Sequence, residues 1–553
     1  MCIDASTHIG GVFSLRPGAI YENLHLTISN YLMAYSDFPP LEDRIQYSTS
    51  EEYANYLVRY MEHFELQDHI QLSTKIVSAK QGPWGTWQIK TMTTDGRTEM
   101  HEADSLIVAT GSNHIPTHPF NNVGIPVVHS SEYLDNKPFV GKKVLVCGMG
   151  ESSGDIAAQI SEVAEECTIW GRRPPLVAPR FWQSIVNDKN YCEKNELTPG
   201  KVGTQKVTDY LECITTTRIS SGCSFANYGW ARTVVWNTLV GSASWDVLKA
   251  LCILAAKKDP VVVDTSGVAT KTGFYCDAAG RGDLNVVICG DYEFRGNTVR
   301  FNKPEYAMRH GKTYMPMTLD LDIDVIVACT GFKTDFDWLE ADIQPNPRTW
   351  FRHCFPPNYG EKLCFVGWAR PHQGGIPICA EMLSRYIALV LKGDRKLPSD
   401  LAELAVVEAE QERALFHTTP NLNSLVDVVG FMNSMARLIG CEPKCPLTPS
   451  GYFKYMFLPD FACNYRMRGP GANPEAVKAV YEKFNWYDGL SLPPPLLIHY
   501  FVTYWYGRLC NFITYFLGMS DDMAPFPKFW RRMISKRYLM HGNTLRFSDL
   551  FAA

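Results

Sequence analysis

The residues best suited to chemistry lie in one stretch, Lys143-Val-Leu-Val-Cys-Gly148-Met-Gly150-Glu-Ser152-Ser153-Gly154-Asp155. The apolar run Val144 to Cys147 reads as a short buried parallel strand. Gly148 and Gly150 let the backbone turn sharply, and Ser152 and Ser153 open a helical pattern carrying Ile156, Ala157, Ile160 and Val163. A strand, a glycine turn and a helix start cradle a pyrophosphate, because the free N–H groups of the helix point at the ligand. The next strand, Cys167-Thr-Ile-Trp170, leads into Gly171-Arg172-Arg173. At about this distance from the first glycine an acid would bind the ribose hydroxyl of NAD. A guanidinium there suits a 2′-phosphate instead, so Arg172, with Arg173 behind it, points to NADPH.

Two further features suggest a second nucleotide. Cys2-Ile3-Asp4 reads as the end of a strand closing on an acid, with Gly10-Gly11 following. An acid so placed takes the adenosine ribose, but it should stand about twenty residues after a glycine-rich loop. Only three residues precede Asp4, so the expectation is of an incomplete version of a longer protein, or of weak nucleotide binding. Strands ending in Thr110-Gly111 and Thr330-Gly331 stand on either side of the Gly148 turn.

These chemistry-bearing residues need elements to hold them. Thr49 and Glu52 predict a capped helix bearing Tyr53, Leu57, Tyr60 and Met61. Residues 70–78 and 87–92 read as strands of an antiparallel layer. Tyr21 to Pro40, rich in aromatics and hydroxyls without a clean period, reads as a loop lining a pocket. Asn237 to Lys257 reads as an apolar helical segment, and 284–289 and 297–301 as strands. Leu363 to Gly367, then Gly374-Gly375, then a helix with Glu381 and Arg385, form another strand–turn–helix. A lone Glu381–Arg385 pair could equally be an exposed i,i+4 ion pair. From Asp400 to Glu412 the chain reads as an acidic helix, and Leu497, Phe501, Trp505, Leu509, Phe512 and Phe516 form an amphipathic stripe suited to the protein body or a membrane surface, with a spanning helix as the lesser alternative.

The whole chain has 553 residues, room for two or three domains. A net charge of −5 excludes a general attraction to nucleic acid. The 17 cysteines form no CxxC and no dense framework, as expected of free thiols in a reducing compartment, the cytoplasm.

Taken together the motifs resemble the flavin-containing monooxygenases and their Baeyer–Villiger relatives, the class B flavoprotein monooxygenases, in a fungal-type form. The resemblance rests on the Gly148 turn, the two Thr-Gly strand ends and His129-Ser-Ser-Glu-Tyr133, which matches the end of the group's FxGxxxHxxxY signature. Gly10-Gly11-Val-Phe13 resembles the group's GGxW, Tyr35-Ser36-Asp37-Phe38-Pro39 its FSDFP, and Pro371, Glu381 and Arg385 its late pattern. It covers about residues 1 to 395. Departures are the absent first GxGxxG, a Gly124 spacing one residue too long, Thr27 where the group has an asparagine over the flavin, and Ser153 at the third glycine position.

The resemblance implies an α/β fold with two dinucleotide-binding, Rossmann-like domains, the NADPH domain inserted in the FAD domain, and a helical C-terminal extension. The expected divisions are 1–135 and 321–395 for FAD, 136–320 for NADPH and 396–553 for the extension. It implies FAD and NADPH as cofactors, and transfer of one oxygen atom from O2, through a peroxyflavin, to a small organic substrate in secondary metabolism. Gly148, Gly150, Ser152, Ser153, Arg172 and Arg173 would hold NADPH. Asp4, Gly10, Gly11, Phe13, Ser36, Thr110, Gly111, Thr330, Gly331 and Glu381 would hold FAD, with Thr27 and Asp37 at the reacting centre. A pyridine-nucleotide:flavin reductase and a non-catalytic homologue remain as alternatives.

Overall fold

The structure is a computed structural model. It describes residues 1–173, 273–444 and 460–483, except 15–19, 43–45, 114, 121, 373 and 417–421, together with 448, 455 and the strands 181–185 and 202–207. The expected helix at 237–257 and the aromatic stripe at 497–516 lie outside the described residues.

A seven-stranded sheet forms the centre, in the order Lys312–Tyr314, Tyr306–Arg309, Asn285–Ile288, Glu166–Gly171, Lys143–Cys147, Val325–Ala328, Val127–His129. Lys143–Cys147 pairs in parallel with both neighbours, opposite Glu166–Trp170 on one side and Val325–Ala328 on the other. Its residues Val144, Leu145 and Val146 are buried on both faces, which is why the run is uniformly apolar. Helices Glu151–Ser161 and Gly273–Arg281 cover one face through Ile156, Ala157, Ile160 and Tyr275. Phe120, Phe301 and Leu319 cover the other. This sheet takes in Val127–His129 and Val325–Ala328, which lie across the divisions drawn at 135/136 and 320/321. The α/β, Rossmann-like architecture is thus plain in the parallel strands and their covering helices.

Smaller parallel pairs stand apart from it. Cys2–Ile3 runs beside Ile70–Gln71, and Leu106–Val108 beside Leu363–Phe365. Of the two Thr-Gly strands, the one before Thr110 thus lies in a small pair and the one before Thr330 in the central sheet. The antiparallel layer is Thr74–Gln81, Trp87–Thr93 and Thr98–Ala103, with Leu339–Glu340 on its edge; Ile70–Gln71 is not part of it. Thr298–Asn302 belongs to a separate three-stranded sheet, not to the sheet of Asn285–Ile288.

Helix Ser50–His63 begins with the expected capping box: Thr49 accepts from the Glu52 N–H, and Glu52 accepts from that of Thr49. Helices Ile376–Leu391, Leu401–Leu415 and Val428–Ile439 share one apolar core with Phe351, Phe355 and Tyr465. The described part of the extension, up to residue 483, therefore folds onto the body rather than standing free. Among the described residues no helix is long and apolar enough to cross a membrane, and the described cysteines are free thiols.

Candidate functional site

The glycine turn is built as its sequence requires. Gly148 has φ +126°, and its N–H donates to the Trp170 carbonyl at 2.8 Å. A Cβ there would stand 2.5 Å from the Cys329 carbonyl oxygen, so no side chain fits. Gly150 is the N-cap of helix Glu151–Ser161 and supplies no side-chain cap. A Cβ on Gly150 would meet nothing within 4 Å. The helix therefore presents its first N–H groups at an open mouth, the arrangement an anion needs. Ser152 is exposed there. Ser153 is buried and its hydroxyl donates to the Gly150 carbonyl at 2.8 Å, so it serves the turn itself.

Strand Glu166–Gly171 ends beside this turn. A Cβ on Gly171 would run into the Met149 side chain at 2.3 Å, which places Arg172 next to the mouth. Arg172 and Arg173 are exposed and make no ion pair or side-chain hydrogen bond among the described residues. An uncapped helix start beside two unengaged guanidiniums fits the pyrophosphate and 2′-phosphate of NADPH.

On the other side, Asp4 follows the Cys2–Ile3 strand and is exposed, and its carboxylate accepts from the Ser6 N–H at 2.7 Å. Gly10 has φ +114° and Gly11 φ +57°, and the turn they make presents Phe13 edge-on to Tyr53 at 5.2 Å. Thr27 is half-buried and precedes the short helix Asn30–Met33. Asn30 is committed to structure: its amide donates to Glu42 and accepts from the Tyr31 and Gln46 N–H groups. Gly375 lies against that helix, with room for no Cβ between it and the Leu32 carbonyl at 2.7 Å. The start of helix Ile376–Leu391 thus meets the helix Asn30–Met33 that follows Thr27, and it too has no side-chain cap.

Behind this meeting point lies a buried charge cluster. The Glu381 carboxylate accepts from the Ser36 N–H at 2.8 Å and also from the Ser36 hydroxyl. Arg466, from the turn Ala462–Arg466, donates to Ser36 Oγ at 2.6 Å, Asp37 Oδ2 at 2.9 Å and Glu381 Oε1 at 3.1 Å. Burial pushes the Glu381 carboxyl up from its ordinary value, and Arg466 opposes this. Burial and the nearby Glu381 and Asp37 push the Tyr35 phenol up to about 12. Asp37 Oδ1 is buried without a hydrogen-bond partner among the described residues. Glu381–Arg385 is not an exposed pair: the closest approach is 3.9 Å, and Arg385 instead donates to the Tyr465 and Pro470 carbonyls. Sequence reasoning missed Arg466. The only signal was a cation-rich Asn464-Tyr-Arg466-Met-Arg468-Gly run in a tail set aside as uncovered.

The segments that follow the two Thr-Gly ends are joined to each other. Gly111 and Gly331 both have φ +78°. Thr330 Oγ1 donates to the Thr117 carbonyl at 2.6 Å, and Ile115–Pro116 pairs with Phe332–Lys333. Thr110 is exposed. His129 Nε2 lies 3.2 Å from the Gly331 carbonyl, while the Ser131 N–H donates to its Nδ1 at 3.1 Å.

A family model described as flavin-binding monooxygenase-like matches residues 1–191 and 283–487. The chain belongs to the flavin-binding monooxygenase-like family. It is therefore a flavin-dependent monooxygenase by descent, of a class whose cofactors are FAD and NADPH, and the match extends well into the tail beyond 395. It is 33% identical to a 4-hydroxybenzoate brominase (decarboxylating) of Marinomonas mediterranea, covering 93% of each chain. A second brominase of that name, from Pseudoalteromonas luteoviolacea, is 31% identical over 85% of each. Human flavin-containing monooxygenase 5 is 24% identical, over 87% of this chain and 86% of its own. The S-allyl-L-cysteine S-oxygenase of Allium sativum shares the fold, with a TM-score of 0.51 at 16% identity and 91% and 92% coverage.

Proposed function

We propose that this chain is an NADPH- and FAD-dependent monooxygenase that transfers one atom of O2 to a small organic molecule of secondary metabolism and releases the other as water. The observation that carries the reading is the open, uncapped start of helix Glu151–Ser161 beside the unengaged Arg172. Gly148, Gly150 and Ser152 would hold the NADPH pyrophosphate, and Arg172 and Arg173 its 2′-phosphate. Asp4, Gly10 and Gly11 would border the adenosine side of FAD. Thr27, Ser36, Asp37 and Glu381 would stand toward its reactive end, with the uncapped start of helix Ile376–Leu391 offering N–H groups to negative oxygens. When bound, FAD supplies the electron transfer from NADPH and the activation of O2. The protein orients the two nucleotides and keeps water out. The free thiols fit a reducing, cytoplasmic setting.

The two brominase relatives favour an electron-rich phenol as substrate. They also support a second reading, in which the oxygen atom goes to bromide and the electrophilic bromine replaces a ring carboxylate, released as CO2. The test is NADPH oxidation and O2 uptake by the FAD-loaded chain with phenolic acids, with and without bromide. Substrate-stimulated uptake with an oxygenated product supports the first reading, and bromide-dependent product the second. NADPH oxidation that yields only hydrogen peroxide with every substrate contradicts both.

A further inference from the structure

We propose that Arg466, supplied by the C-terminal extension, is a positioning residue for the flavin side of the site: it fixes Ser36, Asp37 and Glu381 in one charge-balanced arrangement. The inference rests on the reading of those three residues as the flavin side. Arg466 reaches four acceptors, the fourth being the Gly471 carbonyl at 2.9 Å. Its fork geometry does what a lysine ammonium cannot, since three nitrogens serve acceptors on three separate segments. The side chains are largely buried, at 13% exposure for Arg466, 18% for Asp37 and 8% for Glu381. Two carboxylates and the two guanidiniums of Arg466 and Arg385 balance within the cluster, so removing one cation leaves like charges facing each other.

The neighbouring contacts aim the cluster. Tyr56 accepts from the Tyr35 N–H at 2.8 Å and donates to the Phe38 carbonyl at 2.7 Å, which pins the Ser36–Asp37 backbone from the opposite side. Arg466 occupies Asp37 Oδ2, while Oδ1 is buried without a hydrogen-bond partner among the described residues. That oxygen is an acceptor held ready for a hydroxyl or N–H of a bound group.

The experiment compares Arg466→Lys and Arg466→Ala with the wild type, and with Arg300→Ala, which breaks only an exposed pair with Asp320. Apoprotein is titrated with FAD by flavin fluorescence, its thermal midpoint is recorded, and the share of NADPH oxidised to hydrogen peroxide is measured. Arg466→Lys is expected to weaken FAD binding about tenfold and to raise the peroxide share, with a nearly unchanged apoprotein midpoint. Arg466→Ala is expected to weaken FAD binding further and raise the peroxide share further, and Arg300→Ala to change neither. Wild-type FAD affinity and coupling in Arg466→Lys would overturn the proposal, as would losses that only track the midpoint. A wild type that binds FAD but shows no effect of Arg466→Lys defeats this inference alone. A wild type that binds no FAD defeats the reading beneath it.

Discussion

Arg172 is the residue on which cofactor choice turns. It follows Gly171, which packs on Met149 of the Gly148 turn, and it is exposed with no protein partner among the described residues, so its charge is available to a ligand. Arg172→Ala should raise the KM for NADPH by about tenfold or more and leave NADH use nearly unchanged, as steady-state kinetics with both will show. Gly148→Ala forces a side chain at φ +126° into the Cys329 carbonyl. It should destabilise the chain by about 1–3 kcal/mol in urea unfolding. His129 carries a pH dependence. Burial holds its imidazole below the ordinary 6.5, and the neutral ring with Nε2–H toward Gly331 leaves Nδ1 to accept from the Ser131 N–H and hydroxyl. Because the folded state disfavours the proton, this stability is present above pH 6.5 and is lost as pH falls through the depressed value. The difference in thermal midpoint between wild type and His129→Gln should therefore shrink on acidification.

At the level of elements, the strand–turn–helix at 143–161 was legible because every local rule agrees there: an apolar run, two glycines, and a 3.6-residue stripe. The Thr49 capping box was legible for the same reason. Thr49→Ala should cost about 1 kcal/mol in chemical denaturation, by freeing the Glu52 N–H at the start of the helix that carries Tyr56. The Glu381 cluster was not legible. Its partners come from residues 36–37, 381–385 and 466, far apart in sequence, and only tertiary packing joins them. An i,i+4 spacing cannot distinguish a solvated pair from a buried one. The pairing of Ile115–Pro116 with Phe332–Lys333 escaped notice likewise, since two-residue strands carry no period.

Across the whole molecule, the extension is joined to the body by buried charge as well as by apolar surface. Arg348, 4% exposed, donates to Glu412 at 2.8 Å and to the Leu422 carbonyl at 3.0 Å, and His353 meets the same carboxylate at 2.7 Å. Arg348→Ala leaves that carboxylate short of its cation and should lower the unfolding free energy by about 3–5 kcal/mol. The same logic places Arg466 at the candidate site: a tail that sequence patterning left unassigned supplies a cation to the cluster at Glu381. The central claim is that a phosphate-selective nucleotide turn serves a flavin in the same chain. Its most direct measurement is anaerobic bleaching of the flavin absorbance band after FAD loading. Rapid bleaching by NADPH, slower bleaching by NADH, and loss of that preference in Arg172→Ala are expected. Retained flavin that neither nucleotide reduces, or equal rates with both, would contradict the account.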